Sequence, residues 1–387
     1  MKAAFSLFIQ FFILGCTSFG GPAAHLGYFR KTFVEDKKWL TDEHYAQLVA
    51  LSQFLPGPGS SQVGFAIGLH KQGLIGGILA FIAFTLPSFL LMLAFATGLS
   101  SITGTDISQN LIHSFKLLAV IVVLDATLSM GKNFCAEKQT QIIAVLTACF
   151  ILLSPVPFSQ IMCIAIAAIA GSFLFKNSTH KNSPAEQQLT KWQRFILPIL
   201  FLAVFILCLL GLTPLGKIFN DSFIAGSLVF GGGHVVLPLL QEYFVDSVGQ
   251  QNFISGYAAA QAIPGPMFTF ATFLGALSHE SAFIGATLAT AGIFLPGFLL
   301  VLIFHKHWQV LANKPSVSAM VKGINAAVIG LLAATLYDPI FTSSVTGNLD
   351  LVLIIIGFTL LRVLKISVLT LIALFVIQAL AFTFISS

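Results

Sequence analysis

The sequence predicts an all-α polytopic membrane protein. It is expected to hold two homologous repeats of about six membrane segments each, inverted relative to one another. Broken or re-entrant helices are expected at Phe-Gly-Gly and Pro-Gly-Pro. Three observations predict this. Of 387 residues, 57% are hydrophobic and 9% charged, whereas a soluble domain carries about 25% charged residues. The charges also cluster: no Asp, Glu, Lys or Arg occurs in 72–105, 195–216, 222–241, 247–279, 281–305, 323–337 or 366–387. Each run reaches or approaches the roughly 20 residues that cross a bilayer. Finally, one set of motifs occurs twice, in the same order. Alternating strands of about ten residues are absent, which argues against a barrel.

Taken in order, the chain opens with an apolar run over 4–18 that breaks at Phe19-Gly20-Gly21-Pro22. This run reads as a first membrane segment rather than a cleaved leader, because it flows into a motif that recurs. Residues 23–44 interleave aromatic and basic side chains with acids, as suits the headgroup level. Arg30 and Trp39 in this stretch are candidates for entrance or gating. An apolar element over 45–69 is interrupted by Gln53-Phe54-Leu55-Pro56-Gly57-Pro58, followed by Ser60, Ser61 and Gln62. Each proline lacks an N–H, clashes with the preceding turn and pushes the residue before it toward extended geometry. In lipid such freed backbone is tolerated only where protein or a watery cavity satisfies it. A polar turn at 70–73 leads to a helix over 74–99 with Pro87, then one over 107–130 carrying Lys116 and Asp125. Apolar segments at 140–153 and 158–175, joined by Ser154-Pro155-Val156-Pro157, read as a hairpin.

A polar linker over 176–194 and an extra apolar segment over 195–212 separate the halves. The predicted division is 1–175, 176–216 and 217–387. The second half then repeats the first. Phe19-Gly20-Gly21 matches Phe230-Gly231-Gly232, and Gln53 with Pro56-Gly57-Pro58 matches Gln261 with Pro264-Gly265-Pro266. Leu86-Pro87-Ser88-Phe89 matches Leu295-Pro296-Gly297-Phe298, and Ala126-Thr127-Leu128 matches Ala334-Thr335-Leu336. Paired interruptions at corresponding positions are the best sequence pointer to a transporter's binding site. The competing reading is a pair of kinks used only for packing.

Helix breaks expose N-terminal N–H groups with partial positive charge, which bind anions without a cationic side chain. Gly20, Gly21, Gly57, Gly231, Gly232, Gly233 and Gly265 permit close backbone approach, with Pro22, Pro56, Pro58, Pro264 and Pro266 setting the breaks. Gln53, Ser60, Ser61, Gln62, Gln261 and Thr269 supply hydroxyl and amide donors suited to an oxyanion; the alternative is that they only cap freed backbone. His25 and His234 lie just beyond the glycine breaks, placed to donate to an anion, to relay a proton or to make a structural hydrogen bond. Lys116 and Asp125 are intramembrane ionisable residues and so functional candidates. Nine residues apart on one helix, they are not a direct pair.

The remaining composition excludes more than it assigns. The net charge of +5 fits cytoplasmic loops rather than nucleic-acid binding. Five scattered cysteines show no metal spacing and read as small apolar residues. No nucleotide-binding, nucleophile or metalloprotease motif occurs, so neither an enzyme nor a cofactor nor a metal is predicted. The sequence leaves open an uncoupled anion channel, a non-transporting scaffold or sensor, and a homodimer.

The motifs also carry a resemblance. Phe19 through Arg30, Trp39-Leu40, Tyr45-Ala46, Gln53 through Gly64 and Gly256 through Phe270 resemble the chromate ion transporter family in its long, two-domain form. The resemblance implies a secondary transporter exporting chromate, driven by the membrane potential or proton gradient, with sulfate as a competing look-alike. It also implies oppositely oriented halves in a bacterial-type inner membrane. Gly59 stands where the family would have alanine, and Phe230-Gly231-Gly232-Gly233 replaces Phe-Gly-Gly-Pro.

Overall fold

The structure is a computed structural model, and it describes residues 2–19, 21–102, 106–153, 159–175, 196–230, 233–305 and 314–386. Among these residues every regular element is a helix. The first half holds α1 (Lys2–Thr17), α2 (Gly21–Arg30), α3 (Asp42–Phe54), α4 (Gly59–Ile102), α5 (Asp106–Phe134), α6 (Lys138–Leu153) and α7 (Ser159–Leu174). After α8 (Leu197–Leu209), the second half holds α9 (Gly216–Leu228), α10 (Val236–Val248), α11 (Gln250–Ala262), α12 (Phe270–Leu277), α13 (Ala282–Phe304), α14 (Pro315–Thr335), α15 (Asn348–Arg362) and α16 (Val368–Ser386). The polar linker and the Ser154–Pro157 joint lie outside the described residues.

The chain is an all-α polytopic membrane protein. Among the described residues, four stretches are long and apolar enough to cross a bilayer: Gly59–Gly98, Gln109–Phe134, Ala282–Phe304 and Pro315–Ser344. The first of these is really two helices. Gln72 (φ −144°) and Gly73 (φ 66°, ψ −159°) leave helical geometry, and the chain turns back on itself there. Gly68 then lies so close to Gly76 that a Cβ on it would meet the Gly76 carbonyl oxygen at 2.3 Å. The second half turns in the same way between α12 and α13, where Gly275 meets the Gly285 carbonyl oxygen at 2.2 Å by the same measure. At about 1.5 Å per residue, the arm over 59–71 and the eight-residue α12 are shorter than the ~30 Å hydrocarbon core. The broken element of the first half divides into two helices, α3 and the first arm of α4.

Packing within each half is repeated. α1 lies against α4 and α9 against α13. Close approach is made through Gly15, facing the Phe84 carbonyl, and Gly226, facing the Ile293 carbonyl. Small residues at such contacts suit helix association in lipid, where apolar surface alone gives little drive. Between the halves the partners are exchanged. α5 packs on α11, α15 and α16, while α14 packs on α6 and α7. The centre is closed by α4 against α13, with Phe65 stacked on Phe298 at 4.6 Å and Phe81 set at 4.7 Å from Phe298. Large apolar side chains such as Leu146, Leu153, Ile166 and Phe173 face outward on α6 and α7, as a lipid-facing surface requires.

Candidate functional site

The two Pro-Gly-Pro breaks arise locally. Leu55 (ψ 148°) and Ile263 (ψ 137°) end their helices in extended geometry, the conformation a following proline imposes. The glycines between the prolines have φ of 124° at Gly57 and 98° at Gly265, a region open to glycine and strained for other residues.

What these breaks do lies in tertiary structure: they cross. The Gly57 N–H donates to the Val229 carbonyl at 2.7 Å, and the Gly265 N–H donates to the Ser18 carbonyl at 2.9 Å. Ser18 and Val229 each directly precede a Phe-Gly-Gly motif. Each half's Pro-Gly-Pro therefore docks on the residue that precedes the other half's Phe-Gly-Gly. A Cβ on Gly57 would sit 3.0 Å from Gly297 Cα, and one on Gly265 would sit 2.9 Å from Ser88 Oγ. Ser88 and Gly297 are the residues that follow Pro87 and Pro296 in the matching motifs. Gly233 closes the arrangement, with Pro22 Cγ 3.3 Å and Met267 Cε 3.0 Å from where its Cβ would be.

The two sides of this crossing differ in chemistry. On the first side, α4 begins at Gly59 and its first-turn N–H groups have no partner within the helix. Ser60 Oγ lies 3.1 Å from His25 Nδ1, and the His25 ring packs edge-on to Phe84 at 5.3 Å. The Gln62 side-chain amide donates to the Pro56 carbonyl at 2.8 Å and the Gly297 carbonyl at 3.3 Å. His25 Nε2, Ser18 Oγ, Ser61 Oγ, Gln62 Oε1 and Thr85 Oγ1 are buried without a hydrogen-bond partner. Their residues are 0% (His25, Ser18, Gln62), 2% (Ser61) and 3% (Thr85) exposed. Buried polar groups are normally paired, and each one left unpaired costs about 1–3 kcal/mol. Such a concentration around one helix start calls for an explanation. Hydroxyls and a ring N–H are donors, and the helix start adds partial positive charge. The hydroxyls and the ring are suited to an anion's oxygens; Gln62 Oε1, which can only accept, is not.

On the second side the polar groups satisfy one another. Gln261 Nε2 reaches Met267 Sδ at 2.9 Å, and Thr269 Oγ1 donates to the Pro266 carbonyl at 2.8 Å. His234 Nδ1 lies 2.7 Å from the Tyr257 hydroxyl. The structure thus brings together Gly21, Pro22, His25, Pro56, Gly57, Pro58, Ser60, Ser61 and Gln62 with Gly233, His234, Gln261, Pro264, Gly265, Pro266 and Thr269. Gly20, Gly231 and Gly232 lie outside the described residues.

Other expected residues sit apart. Gln53 is exposed on α3. Arg30, expected to attract anions, is bound by two carboxylates: its Nη2 lies 2.8 Å from Asp42 Oδ1, and its Nη1 pairs with Glu35. Asp42 and then Glu35 hold its guanidinium above its ordinary pKa. Trp39 stacks on Phe33 at 4.8 Å beneath the Lys71 ammonium at 5.3 Å. Lys116 is half-buried on α5. Asp125 accepts a 2.8 Å hydrogen bond from Arg362 Nη1, which also donates to Ser129 Oγ at 2.7 Å.

Sequence reasoning missed four residues. Arg362 lies outside the repeated motifs. Ser18, Thr85 and Ser88 carried a weaker signal, lying beside or within repeated motifs.

The comparisons with known proteins fit this architecture. The profile of the family described as "Chromate transporter" matches residues 5–172 and 216–382, one segment for each repeat. A chromate transport protein of Pseudomonas aeruginosa is 27% identical over 360 residues, covering 86% of this chain and 80% of its own. A chromate transport protein of Cupriavidus metallidurans is 27% identical over 330 residues, covering 84% and 80%. An uncharacterised transporter of Methanocaldococcus jannaschii is 26% identical over 344 residues, covering 86% and 83%. No solved structure matches. With both repeats covered by one profile, the chain belongs to the chromate transporter family.

Proposed function

We propose that this protein is a secondary transporter that exports chromate, sulfate or a related oxyanion across a bacterial inner membrane. The membrane potential or the proton gradient drives it. The observation that carries the reading is the set of unpartnered buried hydroxyls and the His25 ring nitrogen around the start of α4, where the two breaks cross. A fold retains unsatisfied polar groups of this kind at functional sites. Hydroxyls, a histidine and a helix start replace part of an oxyanion's hydration shell without a fixed cation, which favours release as well as capture. Relatives named chromate transport proteins support the substrate class. Transport rather than catalysis follows from the same relatives, and a midplane site between inverted repeats follows from the paired breaks.

The test is flux of labelled chromate and sulfate into inverted membrane vesicles, with and without an imposed proton gradient. Gradient-dependent chromate accumulation, inhibited by sulfate, is the expected result. Flux that follows only the anion's own electrochemical gradient would replace the transporter with a channel. Absence of flux for both ions would remove the oxyanion reading.

A further inference from the structure

We propose that His25 takes up one proton when the oxyanion binds at the first break, so that anion and proton enter and leave the site together. The proposal rests on the crossing being the anion site, and it identifies what balances the charge there.

His25 is 0% exposed. One ring nitrogen is engaged by Ser60 and the other is buried without a partner. α1 offers it Ser18, whose carbonyl lies close to the ring. α4 offers Ser60 and Phe84. On α2 itself, Arg30 is turned to the exposed surface and held by Glu35 and Asp42. From α3, the Tyr45 hydroxyl donates to the Leu26 carbonyl at 2.6 Å. Across the crossing, His234 is bound to Tyr257, and the nearby acid Asp125 is paired with Arg362. Among the described residues, no carboxylate or ammonium faces the ring.

An imidazolium buried there has no counter-charge, and a divalent oxyanion buried there has none either. Each alone is costly in a low-dielectric interior; together they offset one another. The hydrogen bonding allows the change without moving backbone. The Ser60 hydroxyl donates to Nδ1 of a neutral ring and accepts from Nδ1–H of a charged one. Nε2–H is then free to make a charge-assisted bond to an anion oxygen. No covalent bond forms or breaks; the proton moves from water to the ring and returns to water on release. A doubly charged anion carried outward in this way moves one net negative charge, not two, which selects the membrane potential over the proton gradient as the drive for export.

Titration calorimetry on the purified full-length protein near neutral pH tests this. Sulfate is the first probe, because it stays fully ionised, and chromate is the second, with heat corrected for the ion's own protonation. Measurements in two buffers of unlike ionisation enthalpy give the protons taken up. The expected result is about one proton per anion, with Kd rising about tenfold per pH unit on the alkaline side of the histidine's titration. His25→Gln keeps an N–H donor and is expected to abolish both the uptake and the pH dependence. Anion binding to the native protein without proton uptake would overturn the proposal and leave the anion site standing. Uptake that survives in a folded His25→Gln protein would do the same. If the native protein bound neither sulfate nor chromate, the reading of the crossing would fail as well.

Discussion

Ser61 and Thr85 set stability against function most directly. Each hydroxyl is buried and unpartnered, so each costs the empty protein roughly 1 kcal/mol or more. Replacing them with the isosteric or smaller Ser61→Ala and Thr85→Val removes that cost. Both variants are expected to unfold at higher temperature than the parent, by about 1 kcal/mol in stability each. Oxyanion affinity is expected to fall by roughly tenfold in each, the worth of one lost hydrogen bond to a charged acceptor. Thermal unfolding in detergent and equilibrium binding on the same samples check the pair of signs. Stability and affinity falling together would mean that these hydroxyls serve the core and not an anion. On the second side the contrast is built in: Thr269 already donates to Pro266, so Thr269→Val is expected to lower stability.

The breaks act as elements, and their local cause was legible from residue type. Pro56 and Pro58 disfavour helix by roughly 3 kcal/mol each relative to alanine, and Gly57 needs φ of 124°. Changing both prolines to alanine shifts α3 and α4 toward one continuous helix, which would pull Gly57 off Val229 and Ser60 off His25. The double variant is expected to insert normally and to lose transport, as measured by vesicle flux against a membrane-fraction immunoblot. Where the breaks go was not legible. The Gly57–Val229 and Gly265–Ser18 bonds join residues far apart in sequence, and no local propensity encodes them. Asp125 shows the same limit: its intramembrane charge was visible, but its partner Arg362 lies on α15 of the other half. The pair is about a third exposed, so a double-mutant cycle of Asp125→Asn and Arg362→Gln is expected to give a coupling of roughly 0.5–3 kcal/mol. A value near zero would free Asp125 for the functional role its intramembrane position suggests.

At the scale of the whole molecule, duplication in sequence suggests two halves that stand alone, and the packing argues otherwise. α5 finds α11, α15 and α16, all from the second half, while α14 finds α6 and α7 from the first. The crossing is shared in the same way, since each Pro-Gly-Pro is satisfied by a carbonyl of the opposite half. A first half alone would leave Gly57 N–H and the inner face of α5 without partners, and a second half alone would leave Gly265 N–H and α14 in that position. In lipid an unsatisfied backbone group costs several kcal/mol, and there is little water at that depth to relieve it. Residues 1–180 produced alone are therefore expected to be degraded or to aggregate, and residues 191–387 likewise. Produced together as two chains they are expected to find each other, because every contact named above lies outside 181–190. Co-purification through a tag on one piece, with chromate flux restored above either piece alone, is the expected outcome. Stable accumulation of one half by itself, with the protease resistance of the intact chain, would show that the exchanged packing is not what holds the fold together.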